Sequence, residues 1–244
     1  MKNIAIITAR SGSKGLPHKN IKMLNGRPLM TWSIKAALDS GMFDTVMVST
    51  DSEEYAKIAR EYGAEVPFLR SEATSQDNSS SWDTVAEVLN KYRELGREFD
   101  TLMLLQPTSP LRSGEDIKKA YKYFEEKNAK AVIGACETEQ NPLLASAFGP
   151  SGSFGSDRIS LVEMFRDQFK LGDNHSYFRR QALPDFYRAN GAMYLVDVKR
   201  FEEDHYFYDE NCYAYVMEQQ NSIDIDTELD FVIAEAVMKH FGIE

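Results

Sequence analysis

The chain has 244 residues and a formal net charge of −10, with 43% hydrophobic and 27% charged residues. This composition is typical of a folded globular protein and not of a disordered one. The negative charge argues against binding to nucleic acids or anionic membranes, because the summed field repels polyanions. No apolar stretch approaches the roughly 20 residues that cross a bilayer. Both cysteines, Cys136 and Cys212, lie in apolar stretches, which favours buried thiols and a cytoplasmic location.

Short apolar runs alternate with amphipathic stretches along most of the chain. The predicted strands span residues 4–9, 46–49, 66–69, 102–105, 131–135, 191–196 and 214–217. The predicted helices include residues 53–62, 82–95 and 116–126, where apolar residues recur at the 3.6-residue spacing. Near-continuous apolar strands linked by helices predict an α/β fold with a mostly parallel central sheet covered by helices. Ligands of such sheets bind beyond the carboxyl ends of the strands.

The alternation of strands and helices stops between residues 139 and 187. Glycines cluster there and are followed by polar and aromatic residues. A long segment without a regular pattern inside a compact domain is usually functional. We therefore predict an α/β core of residues 1–138 and 188–244, with residues 139–187 as an inserted, extended dimerisation arm. A mobile lid is the alternative interpretation of the same segment.

A glycine-rich basic loop, Arg10-Ser11-Gly12-Ser13-Lys14-Gly15, follows the first predicted strand, and Lys19-Asn20 come shortly after it. The glycines permit unusual backbone conformations, so main-chain N–H groups can converge on phosphate oxygens while the cations add charge. The first acidic residue of the chain is Asp39, so the basic residues before it form an acid-free patch. The spacing matches neither the P-loop nor the dinucleotide fingerprint. The loop predicts a phosphate ligand, with a plain turn as the alternative.

A second motif, Leu104-Leu105-Gln106-Pro107-Thr108-Ser109-Pro110-Leu111-Arg112, ends an apolar strand at Gln106. The two prolines fix the chain direction and place an amide that both donates and accepts hydrogen bonds at the carboxyl edge of the sheet. Such an amide suits sugar hydroxyls. A rigid loop whose glutamine satisfies local backbone groups is the alternative.

A third motif, Ser222-Ile223-Asp224-Ile225-Asp226-Thr227, lies near the C-terminus. In an extended segment, residues two apart point to the same side, so Asp224 and Asp226 can offer oxygens to one hard cation such as Mg²⁺. Thr227 with Asp230 also fits a capping box at the start of a last helix, and both interpretations can hold together.

The segment after the second predicted strand carries another capping pattern. Thr50 with Glu53 fits a capping box, so we interpret Asp51 as a helix-start acid rather than a catalytic one. The four histidines are scattered and show no spacing typical of a metal site or a catalytic triad.

In this order, the motifs resemble those of the acylneuraminate cytidylyltransferases over essentially the whole chain. The resemblance is carried by residues 9–15 with 19–20, 49–51, 105–112, 188–192 and 222–228. It implies a Rossmann-like nucleotidyltransferase fold and a homodimer whose arms cross. The implied reaction transfers CMP from CTP to the anomeric hydroxyl of a nine-carbon 2-keto sugar acid and releases pyrophosphate.

The resemblance also implies roles for individual residues. The nucleotide contacts are Arg10, Gly12, Ser13, Lys14, Gly15, Lys19, Asn20, Arg70 and Ser81, the last two at the cytosine. The contacts to the sugar acid or the reacting phosphate are Gln106, Arg180, Arg188 and Asn190. The arm, through Arg180, contributes to the sugar site of the partner subunit. Asp224 and Asp226 bind Mg²⁺, and the catalytic set is Arg10, Lys14, Gln106 and Asp224.

One position departs from the family pattern. Several sialic-acid members carry a basic residue soon after a proline at the start of the arm, where this chain has Pro142-Leu143-Leu144. Leu144 cannot pair with a carboxylate, so legionaminic and pseudaminic acids stay open as substrates. Two other function classes also stay open: a metal-dependent glycosyltransferase, which would use the acid pair, and a nucleotide-sugar sensor without turnover.

Overall fold

The computed structural model describes residues 1–12, 16–76, 79–142, 184–205 and 207–243. The chain divides into two compact units, Met1–Cys136 with Ala189–Glu244 and Glu137–Arg188. Most of the predicted arm lies outside the described residues. Five residues with predicted roles also lie outside them, so their roles stay predictions: Ser13, Lys14, Gly15, Leu144 and Arg180.

Strands and helices alternate along the described part of the chain. The strands are β1 (Asn3–Thr8), β2 (Met23–Leu24), β3 (Arg27–Pro28), β4 (Thr45–Ser49), β5 (Thr101–Leu105), β6 (Ala131–Glu137), β7 (Tyr187–Asp197) and β8 (Cys212–Val216). The helices are α1 (Leu29–Ser40), α2 (Glu53–Glu61), α3 (Glu72–Ser75), α4 (Ser81–Glu94), α5 (Gly114–Glu126), α6 (Val198–Glu203) and α7 (Glu228–Phe241). None of the described helices is long and apolar enough to cross a membrane.

Six of the described strands form one sheet in the order β4-β1-β5-β7-β6-β8. β1 is parallel to β4 and to β5, β6 is parallel to β8, and β7 is antiparallel to β5. The prediction of a mostly parallel α/β sheet is therefore confirmed. Because β1, β4 and β5 run in the same direction, their carboxyl ends at Thr8, Ser49 and Leu105 share one edge of the sheet, where ligands of such folds bind.

Strand β1, which lies between β4 and β5, is buried on both faces of the sheet. Ala5 and Ile7 belong to a cluster with α1, α2 and α5, whereas Ile4 and Ile6 belong to a second cluster with α4 and α6. Successive side chains of a strand point to opposite faces, so both faces of β1 need apolar residues. This explains why the strand has a continuous apolar sequence rather than an alternating one.

The last helix, α7, begins where the sequence predicts. The Thr227 hydroxyl accepts a hydrogen bond from the Asp230 amide, and the Asp230 carboxylate accepts one from the Thr227 amide, which completes a capping box. The inner face of α7 packs on α1 in a third cluster that includes Trp32, Ile225 and Phe231. Ile225 is fully buried and anchors the acidic segment just before the helix.

Two local predictions are wrong. Residues 66–69 do not form a strand, and beside them Glu65 makes an isolated parallel bridge to Met47 of the edge strand β4. The proline within this segment has no N–H group with which to extend the ladder.

Helix α2 is capped by the hydroxyl of Ser52, the residue directly before the helix, and not by Thr50 as the sequence pattern predicted. The Thr50 hydroxyl instead accepts a hydrogen bond from the Ser52 amide.

Helices α1 and α5 approach closely at Gly114. A Cβ atom at this position would lie 2.9 Å from the main-chain nitrogen of Ser40 and 3.2 Å from the carbonyl oxygen of Ala36. Gly114→Ala must push the two helices apart, so we expect it to lower the free energy of unfolding by about 1–3 kcal/mol in urea denaturation. Gly12→Ala is the control, because a Cβ there meets no described atom within 4 Å. Equal losses in the two variants would contradict the packing interpretation.

Candidate functional site

A cleft of about 410 Å³ opens at the carboxyl ends of β1 and β5. Its lining comes from segments far apart in the chain: Thr8, Arg10, Gly12, Lys19, Asn20, Arg70, Gln76, Ser79, Ser81, Gln106, Pro107, Thr108, Asp224 and Asp226. The structure thus brings together the basic loop, the glutamine at the end of a strand and the pair of acids.

Buried contacts hold the main chain of the basic loop. The Asn20 side chain donates a 2.9 Å hydrogen bond to the Arg10 carbonyl, and the Asp51 carboxylate accepts from the Ser11 amide and hydroxyl at 2.7 and 2.9 Å. Asp51 therefore orients the loop, whereas the sequence pattern indicated a helix-start acid. Gly12 does not have a positive φ.

Lys19 connects the basic loop to the acidic segment. Its Nζ donates to the Ile225 carbonyl at 2.7 Å and to the Asp226 carboxylate at 3.1 Å. The Ile225 amide donates a 2.8 Å hydrogen bond to the Thr108 carbonyl. Because Ile225 points into the core, the residues on either side of it, Asp224 and Asp226, are left at the cleft, as the extended spacing predicts.

The two aspartates have the chemistry that a magnesium site requires. Mg²⁺ is usually held by one or two protein carboxylates together with substrate phosphates. No group of three or more His, Cys, Asp or Glu residues that could hold a metal occurs in the described parts of the chain. Asp224 and Asp226 can supply the one or two carboxylates, and the nearby cations Arg10 and Lys19 suit a phosphate ligand that would supply the remaining oxygens. Their binding of Mg²⁺ stays a prediction.

A second wall of the cleft comes from Arg70 and from the beginning of α4 at Ser81. The Arg70 amide donates to the Thr50 carbonyl at 2.8 Å, which ties this wall to the end of β4. Burial lowers the pKa of the Arg70 guanidinium, and the positive charge of Arg10 adds to this effect against the field of Asp51. Two arginines held within reach of one another favour a ligand that carries several negative charges.

Glu87 of α4 holds the loop that follows Arg70. Its carboxylate accepts hydrogen bonds from the Ser71 amide and hydroxyl, both at 2.9 Å, and from the Thr74 hydroxyl, and it pairs with Lys91. Burial alone would raise the pKa of Glu87, but the hydrogen bonds from Lys91, Thr74 and Ser71 lower it to about 2. Ser71 and Thr74 lie outside α4, so no local sequence pattern indicated that Glu87 holds this loop.

Gln106 directly follows β5, and Gly191 makes room for its side chain. Gly191 has a φ of +74°, and a Cβ atom there would lie 2.9 Å from Gln106 Oε1. Glycine is therefore required at position 191 for two reasons: the backbone is left-handed, and the Gln106 amide approaches too closely for a side chain. The structure places Gln106 in the cleft, as predicted from the end of its strand.

The two other predicted contacts to the sugar acid within the described residues have different positions. Arg188 belongs to the second unit, where its guanidinium lies 3.7 Å from the Glu139 carboxylate. Asn190 is buried, with Nδ2 donating to Ser222 Oγ at 2.9 Å and Oδ1 accepting from the Ala192 amide at 3.1 Å. The sugar contacts of Asn190 and Arg188 both stay predictions.

Several residues that line the cleft were not predicted individually: Thr8, Gln76, Ser79, Pro107 and Thr108. Thr8 could have been predicted from its position at the end of the first strand, because ligands of parallel sheets bind there. Gln76 and Ser79 lie in an irregular loop, which has no periodic pattern to indicate where their side chains point.

Comparison with known proteins agrees with the predicted family. A family model described as cytidylyltransferase matches residues 4–241. The chain is 38% identical to the N-acylneuraminate cytidylyltransferase of Streptococcus agalactiae serotype V over 95% of this chain and 52% of that protein, so it spans about half the length of this relative. It is 34% identical to the CMP-N,N′-diacetyllegionaminic acid synthase of Legionella pneumophila, over 98% of this chain and 97% of the relative. It is 33% identical to the pseudaminic acid cytidylyltransferase of Campylobacter jejuni, with the same coverages of 98% and 97%.

Solved structures share the fold. A CMP:2-keto-3-deoxy-manno-octonic acid synthetase complexed with CTP has a TM-score of 0.68 at 16% identity, covering 99% of this chain and 100% of the other. A 4-diphosphocytidyl-2C-methyl-D-erythritol synthase from Anaerococcus prevotii has a TM-score of 0.63 at 15% identity, covering 98% of each chain. These likenesses confirm the Rossmann-like nucleotidyltransferase fold.

Glu87 should make stability depend on pH. Its pKa in the folded chain, about 2, lies below the ordinary value of 4.5. A group whose pKa is lowered on folding stabilises the protein fully above its unfolded pKa and loses this effect as the pH falls towards the folded pKa. Between pH 4.5 and 2, the free energy of unfolding should fall less in Glu87→Gln than in the wild type, as measured by urea denaturation at stepped pH.

A matched control for this prediction is Glu94→Gln, which changes an exposed glutamate of the same helix. It should keep the pH dependence of the wild type over the whole range. The prediction is wrong if Glu87→Gln also follows the wild-type curve.

Proposed function

Since the chain belongs to the cytidylyltransferase family, we propose that it transfers CMP from CTP to the anomeric hydroxyl of a sialic-acid-type, nine-carbon 2-keto sugar acid. The observation that carries the proposal is the single cleft in which Arg10, Lys19, Gln106, Asp224 and Asp226 meet. Phosphoryl transfer needs cations, directional hydrogen bonds and metal-binding carboxylates in one place. The acids named for the relatives, N-acylneuraminic, legionaminic and pseudaminic, support a sugar of this class.

The proposed reaction is an in-line attack by the anomeric hydroxyl on the α-phosphorus, with release of pyrophosphate. Negative charge develops on the equatorial oxygens and on the leaving group. Arg10 and Lys19 can neutralise this charge, and the hydrogen bonds that hold their segments reduce the reorganisation required. The predicted contacts of Ser13, Lys14 and Gly15 belong to the same loop. The Gln106 amide can donate to a phosphate oxygen or accept from the hydroxyl.

The wall formed by Arg70, Ser79 and Ser81 is the proposed cytosine site. Cytosine presents an amino donor beside acceptor atoms, so a guanidinium and hydroxyl groups together can satisfy its edge. Glu87 holds the loop after Arg70 and thereby keeps this wall in position. The selection of CTP over other triphosphates is proposed to depend on these residues.

We propose that Asp224 and Asp226 hold Mg²⁺. When bound there, the ion supplies positive charge to phosphate oxygens and lowers the pKa of a coordinated hydroxyl. The chain's own contribution is to hold both carboxylates at the cleft, through the buried Ile225 side chain and its main-chain hydrogen bonds to Thr108 and Lys19.

The proposal includes a cytoplasmic homodimer. The arm, residues 139–187, is proposed to contribute to the sugar site of the partner subunit, with Arg180 meeting the sugar carboxylate. The family resemblance of the arm sequence supports this assignment. A metal-dependent glycosyltransferase has less support, because the basic loop suits a triphosphate and the family model matches residues 4–241.

The substrate is tested by pyrophosphate release from CTP and Mg²⁺ with sialic, legionaminic, pseudaminic and eight-carbon keto-deoxy acids. We expect release with at least one nine-carbon acid and the highest kcat/KM for an acid of that class. UTP in place of CTP should give much slower release. Binding of CTP without release for any acid would favour a sensor and would reject the proposed reaction.

The metal assignment is tested with Asp224→Asn and Asp226→Asn. Each variant should lower turnover by roughly 100-fold or more, because a neutral amide is a weak ligand for a hard cation. Mn²⁺ binding in the presence of CTP, measured by electron paramagnetic resonance, should weaken in parallel, while circular dichroism stays unchanged.

The control for the metal assignment is Glu228→Gln, which changes an exposed acid close to the pair that is already engaged with Lys22. It should keep turnover and Mn²⁺ affinity near the wild-type values. Near-normal Mg²⁺-dependent turnover in both aspartate variants would exclude these residues as metal ligands.

A further inference from the structure

Arg112 is a buried guanidinium to which the proposed reaction assigns no role. Only 2% of its surface is exposed. Burial lowers the pKa of Arg112 to about 10 against the favourable field of Asp116, so the side chain stays charged at neutral pH. Among the described residues, no acceptor binds its Nε. A buried charge of this kind is costly, so a role that offsets the cost is expected here.

The terminal nitrogens of Arg112 bind three atoms around the base of the cleft. Nη1 donates to the main-chain carbonyls of Gln106, at 3.4 Å, and of Ala192. Nη2 donates to Ser33 Oγ at 2.6 Å, and this hydroxyl donates in turn to the same Gln106 carbonyl at 3.2 Å. The guanidinium therefore ties the end of β5 to β7 and to α1.

The same strand β7 confines the side chain of Gln106. Gly191, where a Cβ atom would lie 2.9 Å from Gln106 Oε1, directly precedes Ala192, whose carbonyl binds Arg112. The Gln106 side chain thus lies against Gly191, and Arg112 ties the Gln106 carbonyl to the carbonyl of the next residue of the same strand. Arg112 is the link between the main chain of Gln106 and the strand over which its amide lies.

We propose that Arg112 is a positioning residue that acts through Gln106. Together with Ser33 it fixes the Gln106 carbonyl, so that the side-chain amide stays directed into the cleft. The inference rests on the proposed function, because the position of this amide matters only if it meets the reacting phosphate or the sugar hydroxyl. Lysine cannot replace Arg112, since a single ammonium cannot span the two carbonyls and Ser33 as the planar guanidinium does.

A double-mutant cycle on pyrophosphate release tests the proposal with Arg112→Met and Gln106→Ala. Arg112→Met should lower kcat by roughly 10- to 100-fold, because misplacement of a group at the reacting centre costs rate. The KM for CTP should change by less than about threefold, since the nucleotide contacts lie elsewhere in the cleft. In the Gln106→Ala background, the same change should lower kcat by less than about threefold. Equal reductions of kcat in both backgrounds would overturn the proposal.

The matched control is Arg97→Met. Arg97 donates hydrogen bonds to Glu65 and Thr45 at the opposite end of the sheet from the cleft. This variant should lose stability while kcat changes by less than about twofold, in either Gln106 background. A loss of kcat as large as that of Arg112→Met would show that general destabilisation suffices, and would count against the proposal.

Ser33→Ala replaces Arg112→Met in the cycle if the latter does not fold. It removes both the acceptor of Arg112 Nη2 and the second donor to the Gln106 carbonyl. Its effect on kcat should likewise shrink when Gln106 is alanine, and an effect independent of Gln106 would overturn the proposal. Failure of the proposed function can be distinguished from failure of the Arg112 proposal, because in the first case the wild type itself would release no pyrophosphate.

Discussion

The hydrogen bond from the Ile225 amide to the Thr108 carbonyl is the contact on which the cleft depends. It joins the loop after β5 to a segment near the C-terminus, and the buried Ile225 side chain adds an apolar anchor beside Trp32 and Phe231. Without this pairing, the two acids of the segment would only mark the start of a surface helix. With it, they face the cations of the first loop. Main-chain hydrogen bonding and packing therefore assemble the site together with the ion pair between Lys19 and Asp226.

Two cations of the cleft, Arg10 and Arg70, are positioned in part by contacts of their main chains. The Arg10 carbonyl is fixed by Asn20 and the Arg70 amide by the Thr50 carbonyl, and the Arg70 guanidinium also donates a hydrogen bond to the Thr74 carbonyl. Burial, opposed by the charge of Asp51 and reinforced by repulsion from Arg10, lowers the pKa of Arg70. A ligand with several negative charges relieves the repulsion.

Much of the fold follows from local pattern, and much of the site does not. The capping box at Thr227 and the meeting of motifs at the ends of parallel strands are confirmed, because both depend on short-range spacing and on a general property of such sheets. Residues 66–69 were mistaken for a strand because their apolar content was given more weight than Pro67, which has no N–H group with which to extend the ladder beside β4. Asp51 and Glu87 bind segments distant in sequence, which no local pattern reveals. For Asn190, the family resemblance identified the position but not whether its amide faces the ligand or the core.

The two ends of the segment between β6 and β7 lie side by side. β6 ends at Glu137 and β7 begins at Tyr187, and just beyond β6 the Thr138 amide donates a 2.8 Å hydrogen bond to the Phe186 carbonyl. Because the two ends of the intervening segment are already held together, altering its length adds only a loop-closure entropy that grows slowly with length. A change in the length of this segment is therefore compatible with the sheet. If acceptor recognition resides there, as the proposed role of the arm requires, evolution can change the sugar while the nucleotide half keeps its architecture.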